Sequence, residues 1–243
     1  MSEYTESNED IEIREEADET AENEEVSAEN KPDGNGGDEE KGNIAMDIFE
    51  IVESTLITMF VIVMIFTYLL HPLAVQGSSM NDTLQNEDKI LMCTLVFDPS
   101  YGDIVIINND AAYLLDENGN AVKKEIAGHD LNECLIKRVI AGPGQKIKVD
   151  ADENTVTVDG QVLVENYTKP VTSDDDPLRY GSAWFNGEVT VPDGYYFVMG
   201  DNRNNSADSR NPDVGFIKLD QIYGKAVVRY SPLKEAKVLL FNK

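Results

Sequence analysis

Histidine and cysteine are almost missing from this 243-residue chain, which holds two of each. Two cysteines exclude a disulfide-dense scaffold and a four-cysteine zinc site. The histidines, His71 and His129, belong to no recognisable catalytic string, which argues against a Ser-His-Asp triad and a histidine-rich metal centre. Positive charge is scarce too: 20 Lys and Arg against 46 Asp and Glu leave a net charge of −26. Nucleic-acid binding needs clustered Lys and Arg to neutralise phosphates, so that class is excluded as well. There is no Gly-rich phosphate loop and no paired ligand spacing, so neither a cofactor nor a metal is expected. A mean hydropathy of −0.35 excludes a multi-span membrane protein but leaves room for one span.

The charge is unevenly placed. Residues 1–43 carry 17 acidic and 3 basic side chains, a net of −14, and almost no large apolar residues. Such a segment buries too little surface to offset the entropy of ordering it, so a disordered acidic tail is expected over 1–45. It is either a solvated, self-repelling arm or a docking tail for a basic partner. Residues 54–70, STLITMFVIVMIFTYLL, hold no charge at all. Extended back to Ile48, the run meets only Glu50 and Glu53 and reaches about 35 Å as a helix, enough for one hydrocarbon core. It lies too deep in the chain, is too long and lacks the basic flank for a cleaved leader. A transmembrane anchor over 46–71 is therefore expected, ended by His71-Pro72 because proline cannot continue a helix. Lys41 and Lys89 are the nearest basic residues on either side and give little charge bias.

Beyond residue 72 the pattern becomes short apolar runs: 89–97, 103–107, 135–140, 146–149, 188–191, 195–199, 226–230 and 238–241. Residues 155–158 and 161–164 flank Asp159-Gly160 and read as a hairpin. Gly142-Pro143-Gly144, Pro192-Asp193-Gly194 and Pro212 punctuate the rest. The expected fold is mainly β, an antiparallel β-rich domain over 72–243, with loops or insertions near 108–134 and 165–187. Cys93 and Cys134 are either bonded to each other or buried thiols, the second favoured by the apolar run around Cys93.

With histidine so rare, a serine nucleophile needs another base, and a neutral lysine can serve. Three strings carry the needed groups: 76–84 (QGSSMNDTL), 136–144 (IKRVIAGPG) and 200–210 (GDNRNNSADSR). Taken singly, each has an ordinary reading. Gly-Ser-Ser is common in loops, a lone strand lysine normally faces solvent, and a polar run after a strand caps itself.

Taken together and in this order after one anchor, the strings resemble the type I signal peptidase (leader peptidase) family. The strings YGDIV at 101–105 and VPDGYYFVMG at 191–200 add to the likeness, which runs from about 73 to 232. The resemblance implies Ser79 as nucleophile, Lys137 as general base and Ser206 as the hydroxyl that orients the base. It further implies Asp208 and Arg210 as a structural pair, Arg138 and Asp201 as charged support for the site, and Met80 beside the substrate cleft. Gly77 sits where some members carry an oxyanion-hole serine, which leaves the Ser79 N–H as the assigned donor in the Gly77-Ser78-Ser79 turn. Asp82 stands where the family usually has proline.

The implied activity is that of a membrane serine endopeptidase that removes signal peptides from secretory precursors after small residues (Ala-x-Ala). The implied chain is a single-pass protein of the cell membrane, with the N-terminus cytoplasmic and the catalytic domain outside. Its partners would be those precursors and the lipid bilayer, with the translocation machinery as a further candidate and no nucleic acid. Pocket walls are expected around Gln76 and just before Lys137. Two other readings fit the same dyad or fold: a specialised pilin- or conjugation-type processing peptidase, and a non-catalytic membrane-anchored binding domain. A self-cleaving repressor-like protease would need a DNA-binding head, against which the acidic tail and anchor speak.

Overall fold

The computed structural model describes residues 36–95, 98–125, 134–150, 153–168 and 184–240. Most of the expected acidic tail, His129 and the greater part of the second insertion lie outside these residues. Two units divide the chain, Met1–Glu53 and Ser54–Lys243.

A single long helix, α1, runs over Gly36–Tyr68. Residues 36–45, expected in the tail, are therefore helical. Its segment Ile44–Tyr68 is 25 residues long and apolar enough to cross a membrane. Its large side chains, Phe49, Phe60 and Phe66 among them, are exposed. An exposed helix of this length and apolar composition fits a membrane anchor.

The rest is antiparallel sheet. The strands are β1 (Leu70–Ala74), β2 (Lys89–Cys93), β3 (Ile104–Asn108), β4 (Ala111–Leu115), β5 (Ala121–Glu125), β6 (Cys134–Ala141) and β7 (Lys146–Asp150). They continue with β8 (Thr155–Val158), β9 (Gln161–Val162), β10 (Glu188–Thr190), β11 (Tyr195–Met199), β12 (Ile217–Lys218), β13 (Ile222–Ser231) and β14 (Lys237–Val238). The main sheet has the order β1-β2-β13-β3-β6-β11-β12, with β14 also paired to β13. A second sheet, β10-β7-β8-β9, contains the expected hairpin. Its turn residues Asp159 and Gly160 both have positive φ, as a tight two-residue turn between right-twisted strands requires.

Three expectations change. The helix ends at Tyr68, and His71-Pro72 is part of β1 instead of a helix stop. Proline is tolerated there because β1 is an edge strand paired only with β2, so its missing N–H breaks no ladder bond. The 108–134 insertion holds the β4–β5 hairpin, tied to the body by the Tyr113–Phe216 bridge and by Lys124 Nζ, 2.8 Å from Asp213. Cys93 and Cys134 are free thiols: β13 and β3 separate their strands, and Cys134 is exposed, not buried.

The central strands β3, β6 and β11 are buried at consecutive positions, so apolar side chains pack on both faces of the main sheet. Met80, Leu84, Ile90 and Ile104 form one cluster, and Ile140, Phe197, Met199 and Phe216 another. The first cluster anchors the turn that follows β1; Leu84 and Met80 are at most 2% exposed.

Candidate active site

Three chain segments meet beside the middle of β6, where β11 ends opposite Arg138 and passes into the 200–210 loop. The first is the turn at 77–80. Gly77 has a φ of +86°, which only glycine adopts freely, and its N–H donates to Asn86 Oδ1 at 2.9 Å. Met80 plugs into the core from this turn and leaves its neighbour Ser79 at the surface of a cavity of about 360 Å³.

The second segment is β6. Consecutive strand residues face opposite ways, so Lys137 and Arg138 serve different surroundings although both are 3% exposed. Lys137 Nζ lies 2.9 Å from Ser79 Oγ and 3.0 Å from the Ile136 carbonyl. Burial lowers its pKa to about 8, because an ammonium loses water there that nothing nearby fully replaces. Asp208 and Asp201 pull it back up, and Arg210 pushes it further down. Arg138 donates to both oxygens of Asp201, at 2.8 and 2.5 Å, and to the Gly102 carbonyl at 2.7 Å. Its guanidinium also stacks 4.1 Å above the Tyr167 ring.

The third segment is the loop after β11. Arg210 donates from Nε and Nη2 to the two oxygens of Asp208, both at 2.8 Å. Burial raises the Asp208 pKa, but Arg210, the Gly200 N–H and the nearby Ser206 hydroxyl outweigh it and hold the carboxyl below its usual range. Gly200 is needed for space: an added Cβ would stand 2.2 Å from Ser206 Oγ and 2.5 Å from the Ser79 carbonyl oxygen.

Of the residues singled out in the sequence, Ser79 and Lys137 are in direct contact, and Arg138–Asp201 and Asp208–Arg210 are ion pairs. Ser78 Oγ accepts from Asn205 Nδ2 at 2.7 Å. Asp82 is exposed. Ser206 differs from expectation. Its Oγ is buried against Gly200 but completes no well-aligned hydrogen bond among the described residues, so it does not hold Lys137. Lys137 is aimed by Ser79 and the Ile136 carbonyl instead. Gln76, Leu135 and Ile136 line the cavity together with Ser79 and Lys137.

Several contributors were not singled out. Arg203 is paired with Glu165, Nη1 to Oε2 at 2.7 Å and Nη2 to Oε1, and donates to the Gly200 carbonyl at 3.1 Å. The Tyr167 hydroxyl donates to the same Glu165 at 2.8 Å; burial chiefly, and that carboxylate next, push its pKa far up. Arg203 could have been suspected from the density of the third string. Glu165 and Tyr167 carry no local signal, since they sit in a stretch without periodicity.

The sequence profile described as signal peptidase, peptidase S26, matches residues 48–231, which takes in the apolar helix and nearly all of the sheet. The chain belongs to the signal peptidase family. A probable signal peptidase I-1 of Synechocystis is 32% identical over 195 residues, covering 79% of this chain and 83% of its own. Signal peptidase I T of Bacillus subtilis is 30% identical over 188 residues, covering 76% of this chain and 86% of its own. A signal peptidase I of Bacillus licheniformis is 28% identical over 203 residues, covering 82% and 97%. Family membership makes the contact between Ser79 and Lys137 the feature to weigh. Lys137 Nζ is a buried amine within hydrogen-bonding reach of the Ser79 hydroxyl at the cavity wall.

Proposed function

We propose that this signal peptidase family member is a membrane-anchored serine endopeptidase that removes signal peptides from secreted precursors, cutting after small residues in an Ala-x-Ala pattern. The observation that carries this reading is the 2.9 Å separation of Lys137 Nζ and Ser79 Oγ, with the lysine buried and its pKa lowered to about 8.

Neutral Lys137 takes the Ser79 hydroxyl proton as Oγ attacks the scissile carbonyl carbon. The Ser79 N–H, which makes no hydrogen bond among the described residues, receives the developing oxyanion. The adduct collapses by breaking the C–N bond, and the Lys137 ammonium hands its proton to the leaving amine. Lys137 then takes a proton from water, whose oxygen attacks the Ser79 ester. The signal peptide leaves with a new carboxylate, and the proton returns to Ser79. The supporting charges lie in Arg138–Asp201 and Asp208–Arg210, which shape the base strand and the loop without touching the reacting atoms.

The cavity beside Ser79 is walled by Leu135, Ile136 and Met92, which suits apolar side chains on the substrate. The apolar helix suits a single span with the N-terminus in the cytoplasm and the catalytic domain over 72–243 outside. Thr94 supports a short tether: its N–H donates to the Leu69 carbonyl at 3.0 Å and its hydroxyl to the Tyr68 carbonyl at 2.8 Å, tying the helix end to β2. Ser79 follows Tyr68 by eleven residues, so the nucleophile stays close to where the helix emerges.

Full-length protein in detergent, incubated with a precursor bearing Ala-x-Ala, tests the reading. Wild type should cleave once, after the second Ala, and Ser79→Ala and Lys137→Ala should each retain less than about a thousandth of the rate. No cleavage by wild type, where a control peptidase works, would favour a binding domain. Cleavage confined to pilin-type substrates would favour a specialised processing peptidase.

A further inference from the structure

We propose that Asn202 is a positioning residue that sets the orientation of the peptide unit bearing the Ser79 N–H. The inference rests on the reading of Ser79 as nucleophile and goes beyond it, because it assigns a task to a side chain that touches no reacting atom.

Asn202 grips two consecutive carbonyls of the nucleophile turn. Its side-chain Nδ2 donates to the Ser78 carbonyl at 3.0 Å, and its backbone N–H donates to the Ser79 carbonyl at 3.0 Å. The Ser78–Ser79 peptide is planar and trans, so its C=O and its N–H point in opposite directions. Fixing the Ser78 carbonyl toward Asn202 therefore turns the Ser79 N–H away from the 200–210 loop. That N–H is unbonded among the described residues, and Ser79 itself lines the cavity. A second donor, the Asn81 N–H at 3.2 Å, holds the Ser78 carbonyl from within the turn, and Asn205 Nδ2 holds the Ser78 hydroxyl at 2.7 Å. Among the described residues only Asn202 reaches both carbonyls, and it does so from a different chain segment, 124 residues from Ser78. Without the Asn202 side chain one local turn bond of 3.2 Å holds the Ser78 carbonyl, and any tilt of that carbonyl tilts the Ser79 N–H with it.

An oxyanion donor is useful only when it already points at the place where charge develops. Asn202 thus supplies preorganisation. Losing it leaves substrate binding intact and weakens stabilisation of the adduct.

The test compares wild type, Asn202→Ala and Asn202→Asp on the full-length protein. For each, kcat and KM are measured with an Ala-x-Ala precursor. Affinity is measured for a peptide aldehyde, which forms a tetrahedral adduct with the serine, and for the same peptide with methyl in place of the aldehyde. For Asn202→Ala we expect kcat to fall by about 10- to 100-fold, less than or equal to the loss from deleting an oxyanion donor outright. KM and the methyl peptide should change by less than about twofold, while the aldehyde weakens in step with kcat. Asn202→Asp keeps the shape but sets a carboxylate oxygen against the Ser78 carbonyl, so its loss should be larger than that of the alanine variant. Every variant at 202 retains the backbone N–H bond to the Ser79 carbonyl and loses the side-chain bond to Ser78 alone; should the alanine variant fail to fold, Asn202→Ser, which keeps a polar side chain too short to replace Nδ2, carries the same readouts. Unchanged kcat, or equal weakening of the aldehyde and methyl peptides, overturns the assignment. A wild type that does not cleave, or a Ser79→Ala variant that does, instead removes the reading of Ser79 on which the assignment stands.

Discussion

Arg138 and Asp201 form a two-point ion pair in which neither side chain is more than 4% exposed. Each is the immediate chain neighbour of a residue at the site: Arg138 follows Lys137, and Asp201 precedes Asn202. The pair therefore fastens the strand that carries the proposed base to the loop that grips the proposed nucleophile. Removing one partner leaves a buried charge without compensation. Asp201→Ala should cost about 3–5 kcal/mol in denaturant unfolding, whereas replacing both residues by apolar ones of similar size should cost much less.

The rate should follow the charge of Lys137. With a pKa of about 8, roughly a tenth of the amine is neutral at pH 7, against about one in 10³ at the ordinary lysine value. The kcat/KM profile should therefore rise with pH and level off above an apparent pKa near 8. Asp201 favours the ammonium, so Asp201→Asn should move that limb to lower pH. A limb that stays put in the asparagine variant would count against the electrostatic link.

Stability should carry the same signature. The folded chain holds the Lys137 proton less tightly than the unfolded chain, about 8 against 10.5. Between those two values the unfolded state binds more protons, so this residue's contribution improves as pH rises through that window and is at its worst below pH 8. Lys137→Met removes a penalty of up to about 3 kcal/mol, less what the two hydrogen bonds return. Thermal unfolding at pH 7 should show the inactive methionine variant as the more stable protein, with the gap closing toward pH 10.

Gly200→Ala is expected to disable the site by crowding. The new methyl would meet Ser206 Oγ at 2.2 Å and the Ser79 carbonyl oxygen at 2.5 Å, and the second is backbone that cannot swing aside. The nucleophile turn must shift, at about 1–3 kcal/mol of stability. Loss of at least about 100-fold in kcat, with the fold retained by circular dichroism, is the expected result.

Much of this protein was legible before any coordinates. Short apolar runs and turn residues placed most strands, because the central strands are buried on both faces and read as continuous apolar segments between turns. The uncharged run at 54–70 marked the long helix, because an unbroken apolar stretch of that length without glycine or proline favours a helix. The near-absence of histidine pointed to lysine as the base, and the three strings marked which lysine and which serine to compare. Tertiary structure decided the rest. Pro72 reads as a helix stop until one knows that it lies on a sheet edge where no bond is lost. The β4–β5 hairpin was hidden because its strands carry charged residues such as Lys123 and Lys124, and its hold on the body comes from Phe216 and Asp213, about a hundred residues away. Ser206 was expected on the base and lies against Gly200 instead. Lys137 shows the division most clearly: its chain neighbours Ile136 and Val139 hint at burial, but its pKa is lowered by burial and by Arg210 against the opposing pull of Asp208 and Asp201, all of which only the fold brings around it. Local sequence determines which elements form, since propensity and periodicity act over a few residues. The environment of a buried charge is a sum over groups distant in the chain, and the fold alone sets that sum.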